Sequence, residues 1–299
     1  MSTTTTPPQP SPYTTPPPPL TTALLTFPTP TILLLTLNRP HALNALTTAD
    51  NHELAALFTW YDAEPRLRCA IITGAGRAFC SGADLVEWHA RNEARTHGSP
   101  HIDSAVPMFP AAGFAALSRR HGKKPVVGAV NGLAVGGGME VVASLDIVVA
   151  ARSAVFALPE AERGVVAMEG SLPRLVRTVG RQRAMEMALT ARRVGAEEAR
   201  DWGFVNEVTE DAGPEAEVME RPVVRRALEF ALAIAAKSPD SVIVSRAGVV
   251  SGWEEGSAEN ATRIVKDIWE ARLNSGENLR EGIKAFAEKR QPRWLDSRL

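Results

Sequence analysis

Asn131-Gly132-Leu133-Ala134-Val135-Gly136-Gly137-Gly138-Met139-Glu140 is the stretch that decides the fold. The apolar segment Pro125–Val130 (PVVGAV) leads into it, and a helical pattern over Gly138–Ser144 leads out. A strand, a glycine joint and a helix in that order are the repeating unit of an α/β chain. Three consecutive glycines permit close backbone approach and unusual φ values. At a helix N-terminus the exposed N–H groups and the positive dipole end favour a negative oxygen. A phosphate loop would carry a Lys-Ser/Thr pair, or Gly-x-Gly-x-x-Gly with a ribose-binding acid downstream, and neither pattern occurs here. An oxyanion hole needs only one or two amides and a reactive side chain close by, which Glu140 in the first helical turn supplies. The plainer alternative keeps Glu140 as a helix-dipole acid and the glycines as packing.

Outward from this joint the α/β pattern continues. Thr31–Leu37 (TILLLTL) is a buried strand stopped by Asn38-Arg39-Pro40, and Ala70–Thr73, Ile147–Ala150 and Ala154–Ala157 are further strands. Helical spacing marks Thr48–Trp60 and Arg181–Leu189. Residues 89–112, with Gly98, Pro100, Pro107 and Pro110, read as a mobile loop. Beyond Val208 the pattern changes to long helices, Pro222–Lys237, Ser257–Asn274 and Glu277–Arg290. The expected organisation is a disordered Pro/Thr-rich arm over 1–20, an α/β core over 21–210, a helical region over 211–296 and a terminal tripeptide over 297–299. The arm reading rests on eight prolines and six threonines in twenty residues, with no charge before Arg39.

Composition narrows the function. The chain has 299 residues, 44% hydrophobic, with 33 basic and 34 acidic side chains. A net charge of -1 argues against binding nucleic acid through bulk phosphate attraction. Cys69 and Cys80 cannot make a disulfide framework, and no histidine pairs with another ligand at metal spacing, so neither a metal nor a cofactor is expected. Pro28 and Pro30 interrupt the apolar run Leu24–Leu37, which excludes a membrane-spanning helix there. Ser297-Arg298-Leu299 matches the form of a peroxisomal import tripeptide, which implies an import receptor as partner and the peroxisome as location.

Two further segments carry reactive or accessible groups. After the Ala70–Thr73 strand comes Gly76-Arg-Ala78-Phe79-Cys80-Ser81-Gly82-Ala83-Asp84-Leu85, whose small residues leave backbone amides open to a ligand. Phe156-Ala-Leu-Pro159-Glu160 places a carboxylate at a strand-to-loop corner. With LNRPHALNAL (37–46), AVNGLAVGGGMEVVASLD (129–146), FALPEAERGVV (156–166) and EGIKAFAEKRQPRW (281–294), these segments resemble the crotonase (enoyl-CoA hydratase/isomerase) superfamily over about residues 31–294. The resemblance implies an α/β, crotonase-like ββα spiral core with a helical C-terminal trimerisation region, assembled as a homotrimer or a dimer of trimers. It implies an acyl-CoA substrate whose thioester oxygen lies between the amides of Ala83 and Gly137. It further implies CoA contacts from Ala42, Ala78, Gly82, Asp84 and Leu85, and a phosphate contact from Lys289. Glu140 and Glu160 fill the two glutamate positions of the hydratases. The branch resembled is that of fungal peroxisomal secondary metabolism, which includes mevalonyl-CoA hydration.

Hydration of an α,β-unsaturated thioester puts charge on the thioester oxygen, removes a proton from water at Cβ and delivers one to Cα. Two amides and two carboxyls meet those needs, with Glu140 as the base on water and Glu160 as the acid at Cα. Two alternatives remain: a Δ3,Δ2-enoyl-CoA isomerase using Glu160 alone, and a crotonase-fold protein kept for binding. The chain departs from the usual hydratase turn at Ala167-Met168-Glu169-Gly170-Ser171, where Glu169 adds a carboxylate. It also carries a basic cluster, Arg119, Arg120, Lys123 and Lys124, which reads as a solvated face ahead of a CoA phosphate site.

Overall fold

Residues 13–97, 106–213 and 216–299 are described by a computed structural model. The strands are β1 (Ala23–Thr29), β2 (Ile32–Leu37), β3 (Cys69–Gly74), β4 (Ala78–Cys80), β5 (Val126–Val130), β6 (Leu133–Val135), β7 (Ile147–Ala151), β8 (Val155–Ala157), β9 (Val194–Gly195) and β10 (Glu207–Thr209). The first helices are α1 (Thr48–Ala63), α2 (Leu85–His97), α3 (Gly137–Val142), α4 (Ser171–Val179), α5 (Arg181–Thr190) and α6 (Ala196–Trp202). The C-terminal ones are α7 (Pro222–Ala235), α8 (Pro239–Glu254), α9 (Ala258–Asn274) and α10 (Glu277–Ala287).

One sheet has the order β1-β2-β3-β5-β7-β10 and the other β4-β6-β8-β9. In the larger sheet only β1 and β2 pair antiparallel; the rest is parallel. The chain lays down a long strand in the first sheet and then a short one in the second, three times over: β3 then β4, β5 then β6, β7 then β8. This is the ββα spiral the sequence led us to expect.

The uninterrupted apolar run of β2 follows from cover on both faces. Leu33, Leu35 and Leu37 share one core cluster with Leu54, Leu57 and Phe58 of α1. Ile32 and Leu34 belong to a second cluster with Val223, Val224, Ala227 and Ala231 of α7. Alanines at 227, 231 and 235 let α7 lie close against the sheet, because a small side chain holds the helix axis near the strands. The Thr47 side chain and Asp50 form a reciprocal cap that starts α1.

Asn44 holds the loops of the site together. It is fully buried with φ 57°, a conformation asparagine tolerates better than most residues. Its side chain accepts from the Arg39 amide at 2.9 Å and donates to the carbonyls of Ala75 and Ala78 at 2.9 and 2.8 Å. Removing it would take these partners from the part-buried Arg39 amide and Ala75 carbonyl, while the Ala78 carbonyl would keep a bond from Asn131.

Several expectations need correction. Residues 89–97 are the body of α2 rather than a loop; 98–105 lie outside the described residues. The disordered arm does not extend to residue 20: Tyr13 packs between Phe27 and Trp60 with ring centroids 4.7 and 5.7 Å away, and the Thr14 amide donates to Glu64 at 2.7 Å. Residues 1–12 lie outside the described residues. Strand β1 was hidden by Pro28 and Pro30; as the edge strand it tolerates Pro28, with its register shifting between Thr26 and Thr29. The helix α8 lies outside the helices expected from the sequence.

The basic cluster is solvated only in part: Arg119 is exposed, and the other three side chains are engaged within the chain. Lys124 is buried, donating to the Tyr61 and Glu64 carbonyls, and burial lowers its pKa to about 8. Arg120 pairs with Asp62 at 2.6 Å and stacks over Phe58 and Tyr61, while Lys123 donates to the carbonyl of Leu299. Ser297-Arg298-Leu299 is docked rather than free. Ser297 is buried with its hydroxyl on Asp240 at 2.5 Å, and Arg298 pairs with Glu277 at 3.1 Å. On α10 the buried residues are Asn278 and Ala285, whereas Ile283 and Phe286 are 64% and 87% exposed in the single chain.

Candidate active site

A cavity of about 1200 Å³ opens where α3 begins, and it is lined by the 81–88 turn, the 157–169 segment and the aromatic rings of Trp88, Phe109 and Phe114. The glycine run sets its floor. Gly136 has φ 56°, and a Cβ there would lie 3.2 Å from the Glu160 carboxyl. A Cβ on Gly137 would fall 2.7 Å from the Phe114 ring, and one on Gly138 would fall 2.2 Å from the Cys80 carbonyl. A Cβ would clash at Gly137 and Gly138 and meet a left-handed backbone at Gly136, so glycine there lets α3 start directly against the Cys80–Ala83 turn.

The amide of Ala83 is turned by a single parallel bridge. Leu46 donates to the Gly82 carbonyl at 3.0 Å and accepts from the Asp84 amide at 2.9 Å. In a bridge of this kind the intervening residue directs its own N–H to the opposite side, and both Ala83 and Gly137 line the cavity. Gly82 brings the two amide-bearing segments together: a Cβ on it would stand 3.0 Å from the Gly137 nitrogen.

Glu140 and Glu160 enter the same cavity from different elements, α3 and the 3₁₀ turn Pro159–Arg163. Glu140 is buried, and its Oε1 accepts from the Ser171 hydroxyl at 3.0 Å and the Ser171 amide at 3.3 Å. Burial pushes its pKa up to about 7; the charges of Glu160 and Glu169 add to the rise and the two Ser171 donors oppose it. Burial also raises the Glu160 pKa, and its Oε2 is a buried oxygen without a hydrogen-bond partner in the structure. An unpaired carboxyl oxygen inside a cavity is costly to keep, and it is suited to meeting a proton or a water that arrives with a substrate.

The structure brings Ala42, Gly82, Asp84 and Leu85 to the cavity as expected. The Asp84 side chain has a structural task as well. It accepts from both terminal nitrogens of Arg39 at 3.0 Å and from the amides of Val86 and Glu87 at the start of α2. Against the burial that pushes it up, the Glu87 amide and Arg39 hold its carboxyl below the usual range. Ala78 is not part of the cavity wall: it is buried in β4 with its carbonyl taken by Asn44 and Asn131. Lys289 is exposed just past α10 and does not reach the cavity of its own chain. Ser171 was missed as a partner of Glu140. Its signal was the departure at 167–171, which the sequence shows but whose geometry it does not. Among the described residues no cluster of histidine, cysteine and carboxylate could hold a metal ion.

A ββα spiral with a glycine-seated helix N-terminus and two desolvated glutamates defines the crotonase-fold class of acyl-CoA enzymes. The chain belongs to the enoyl-CoA hydratase/isomerase family, whose model matches residues 29–297, and it is an enzyme of the hydro-lyase kind. It is 49% identical over 275 residues to mevalonyl-coenzyme A hydratase of Beauveria bassiana, covering 92% of this chain and 95% of that one. It is 47% identical over 276 residues to the mevalonyl-coenzyme A hydratase of Aspergillus fumigatus, covering 92% and 96%. Among solved structures, an enoyl-CoA hydratase of Mycobacterium tuberculosis superposes with a TM-score of 0.77 at 31% identity, covering 92% of this chain and 99% of that one.

The raised Glu140 pKa gives a direct test. Its ionised share should grow as pH rises through about 7. Ser171→Ala removes a donor that favours the ionised form, so the titration should move to higher pH. Carboxyl-labelled carbon-13 NMR reads the shift, and an unchanged midpoint would mean that the Ser171 hydroxyl does not hold Glu140.

Proposed function

We propose that the protein adds water to, or removes it from, the Cα–Cβ bond of an acyl-CoA whose acyl group is branched and hydroxylated, as in mevalonyl-CoA. The observation that carries this reading is that Glu140 and Glu160 line one cavity together with Ala83 and Gly137. The similarity to the two mevalonyl-coenzyme A hydratases supports the acyl group. The thioester oxygen lies on the Ala83 and Gly137 amides, each worth about 3 kcal/mol to the developing enolate by analogy with acyl-transfer enzymes. Glu140 in its ionised form orients water and takes its proton. Glu160, whose pKa partial burial raises, is the acid that delivers a proton to Cα and recovers it in dehydration. The reacting groups come from the chain itself, and acyl-CoA is the substrate, so no separate cofactor is required.

The fixed Ser171–Glu140 contact favours hydration over an isomerase that needs Glu160 alone. Glu140→Gln and Glu160→Gln should each lower kcat by ~10²-fold or more while leaving the fold intact. Normal hydration by Glu140→Gln beside a dead Glu160→Gln would hand the site to the isomerase chemistry.

The exposed Ile283 and Phe286, with Val249 and Ile268 on α8 and α9, support assembly of three or six copies through the C-terminal helices. In such an assembly Lys289 would meet a CoA phosphate of a neighbouring subunit. Ser297-Arg298-Leu299 supports peroxisomal import through a receptor that takes the tripeptide once Ser297 has lifted from Asp240. A fluorescent protein fused to the N-terminus should mark puncta that coincide with a peroxisomal marker and turn diffuse when 297–299 are removed. A diffuse signal from the intact chain would rule the peroxisome out.

A further inference from the structure

Beside Glu87 and Glu162, Glu169 is a carboxylate of the cavity wall with no part in the chemistry just described. Glu169 lines the same wall as Ala167 and Met168, with its side chain 20% exposed. It is near enough to Glu140 to contribute to that residue's raised pKa. The backbone that carries it is held firmly. Ala167 is buried, Ser171 is tied to Glu140, and Gly170 has φ 113° in a space where a Cβ would meet Arg174 at 2.6 Å and the Ser118 carbonyl at 3.0 Å.

We propose that Glu169 is the specificity residue of this cavity, its carboxylate accepting a hydrogen bond from a hydroxyl at the far end of the acyl group. The inference rests on the hydratase reading above and names the feature of the acyl chain that the site selects. An acyl group with its oxygen on the Ala83 and Gly137 amides and its Cβ at the glutamates carries its next carbons onto the 167–169 wall. The rings of Trp88, Phe109 and Phe114 give that space an apolar side suited to a methyl branch. Glu169 gives it one acceptor. Arg119 stands 3.9 Å from this carboxylate and balances its charge, which suits a neutral donor better than a second cation. A purely hydrocarbon chain end would strip water from Glu169 and return no hydrogen bond, so such a substrate is rejected.

The test compares kcat/KM of the full-length enzyme for two 3-methyl-2-enoyl-CoA substrates, identical except that one carries a 5-hydroxyl. Wild type should prefer the hydroxylated one. Glu169→Leu should reduce that preference about 10- to 100-fold, the range of one hydrogen bond to a charged group. Glu169→Gln, whose amide oxygen still accepts, should reduce it by less. An unchanged preference in both variants overturns the role of Glu169. If Glu169→Leu does not fold, the isosteric Glu169→Gln decides: a reduced preference supports the role and an unchanged one overturns it. A wild-type enzyme that hydrates both equally contradicts the hydroxylated substrate class itself, and this inference with it. Preference for a trimethylammonium-bearing acyl-CoA, lost in Glu169→Gln, would replace the hydroxyl with a cation.

Discussion

The structure of the site depends on one close approach, the contact of the first turn of α3 with the Cys80–Ala83 turn. Any side chain at Gly138 would collide with the Cys80 carbonyl, and any at Gly137 with the Phe114 ring. With nothing there, the helix N-terminus abuts a turn whose Ala83 lines the same cavity. Glu140 follows three residues on, and the parallel pairing of β6 with β8 brings the 157–160 corner and Glu160 alongside. Ala83, Gly137, Glu140 and Glu160 thus line one cavity, with room made by the absence of a Cβ at Gly137 and Gly138. The larger sheet and its two layers of cover, α1 on one face and α7 on the other, hold the supporting loops in place.

Charge within this cavity follows from the same packing. Burial disfavours both ionised glutamates, and each negative neighbour adds to the cost. Ser171 offsets part of it for Glu140, and Arg163 with a backbone amide offsets part for Glu160, whose Oε2 stays without a partner, so the two carboxyls stand in different surroundings. That asymmetry separates a group suited to activate water from one suited to exchange a proton with carbon.

Much of this was legible in the sequence, and the reasons are particular. The run TILLLTL reads as a strand because both of its faces are covered, and GGGMEVV reads as a helix start because glycine and then apolar spacing announce it. Order and spacing of the motifs carried the family. The losses are equally specific. Prolines concealed β1 because edge position, which excuses them, is a tertiary property. Gly98 and the prolines beyond it drew attention from the helical residues 85–97. Tyr13 gave no sign of packing on Trp60, since a contact of that sequence separation leaves no local pattern. Lys124 looked solvated because a buried lysine is recognised only by the carbonyls around it. For the site, residue types were readable, while the partners that tune them, Ser171 with Glu140 and Arg119 with Glu169, were not.

The central claim is that backbone amides seated by the glycine run polarise the thioester carbonyl. Isotope-edited infrared spectroscopy of a carbonyl-labelled enoyl-CoA bound to the enzyme measures it most directly. Two strong donors should lower the carbonyl stretching frequency relative to the same thioester in water. In folded Gly138→Ala protein, where the added methyl pushes α3 off the Cys80 turn, that lowering should be lost. A bound carbonyl with the frequency it has in water, in the wild-type enzyme, would contradict the account.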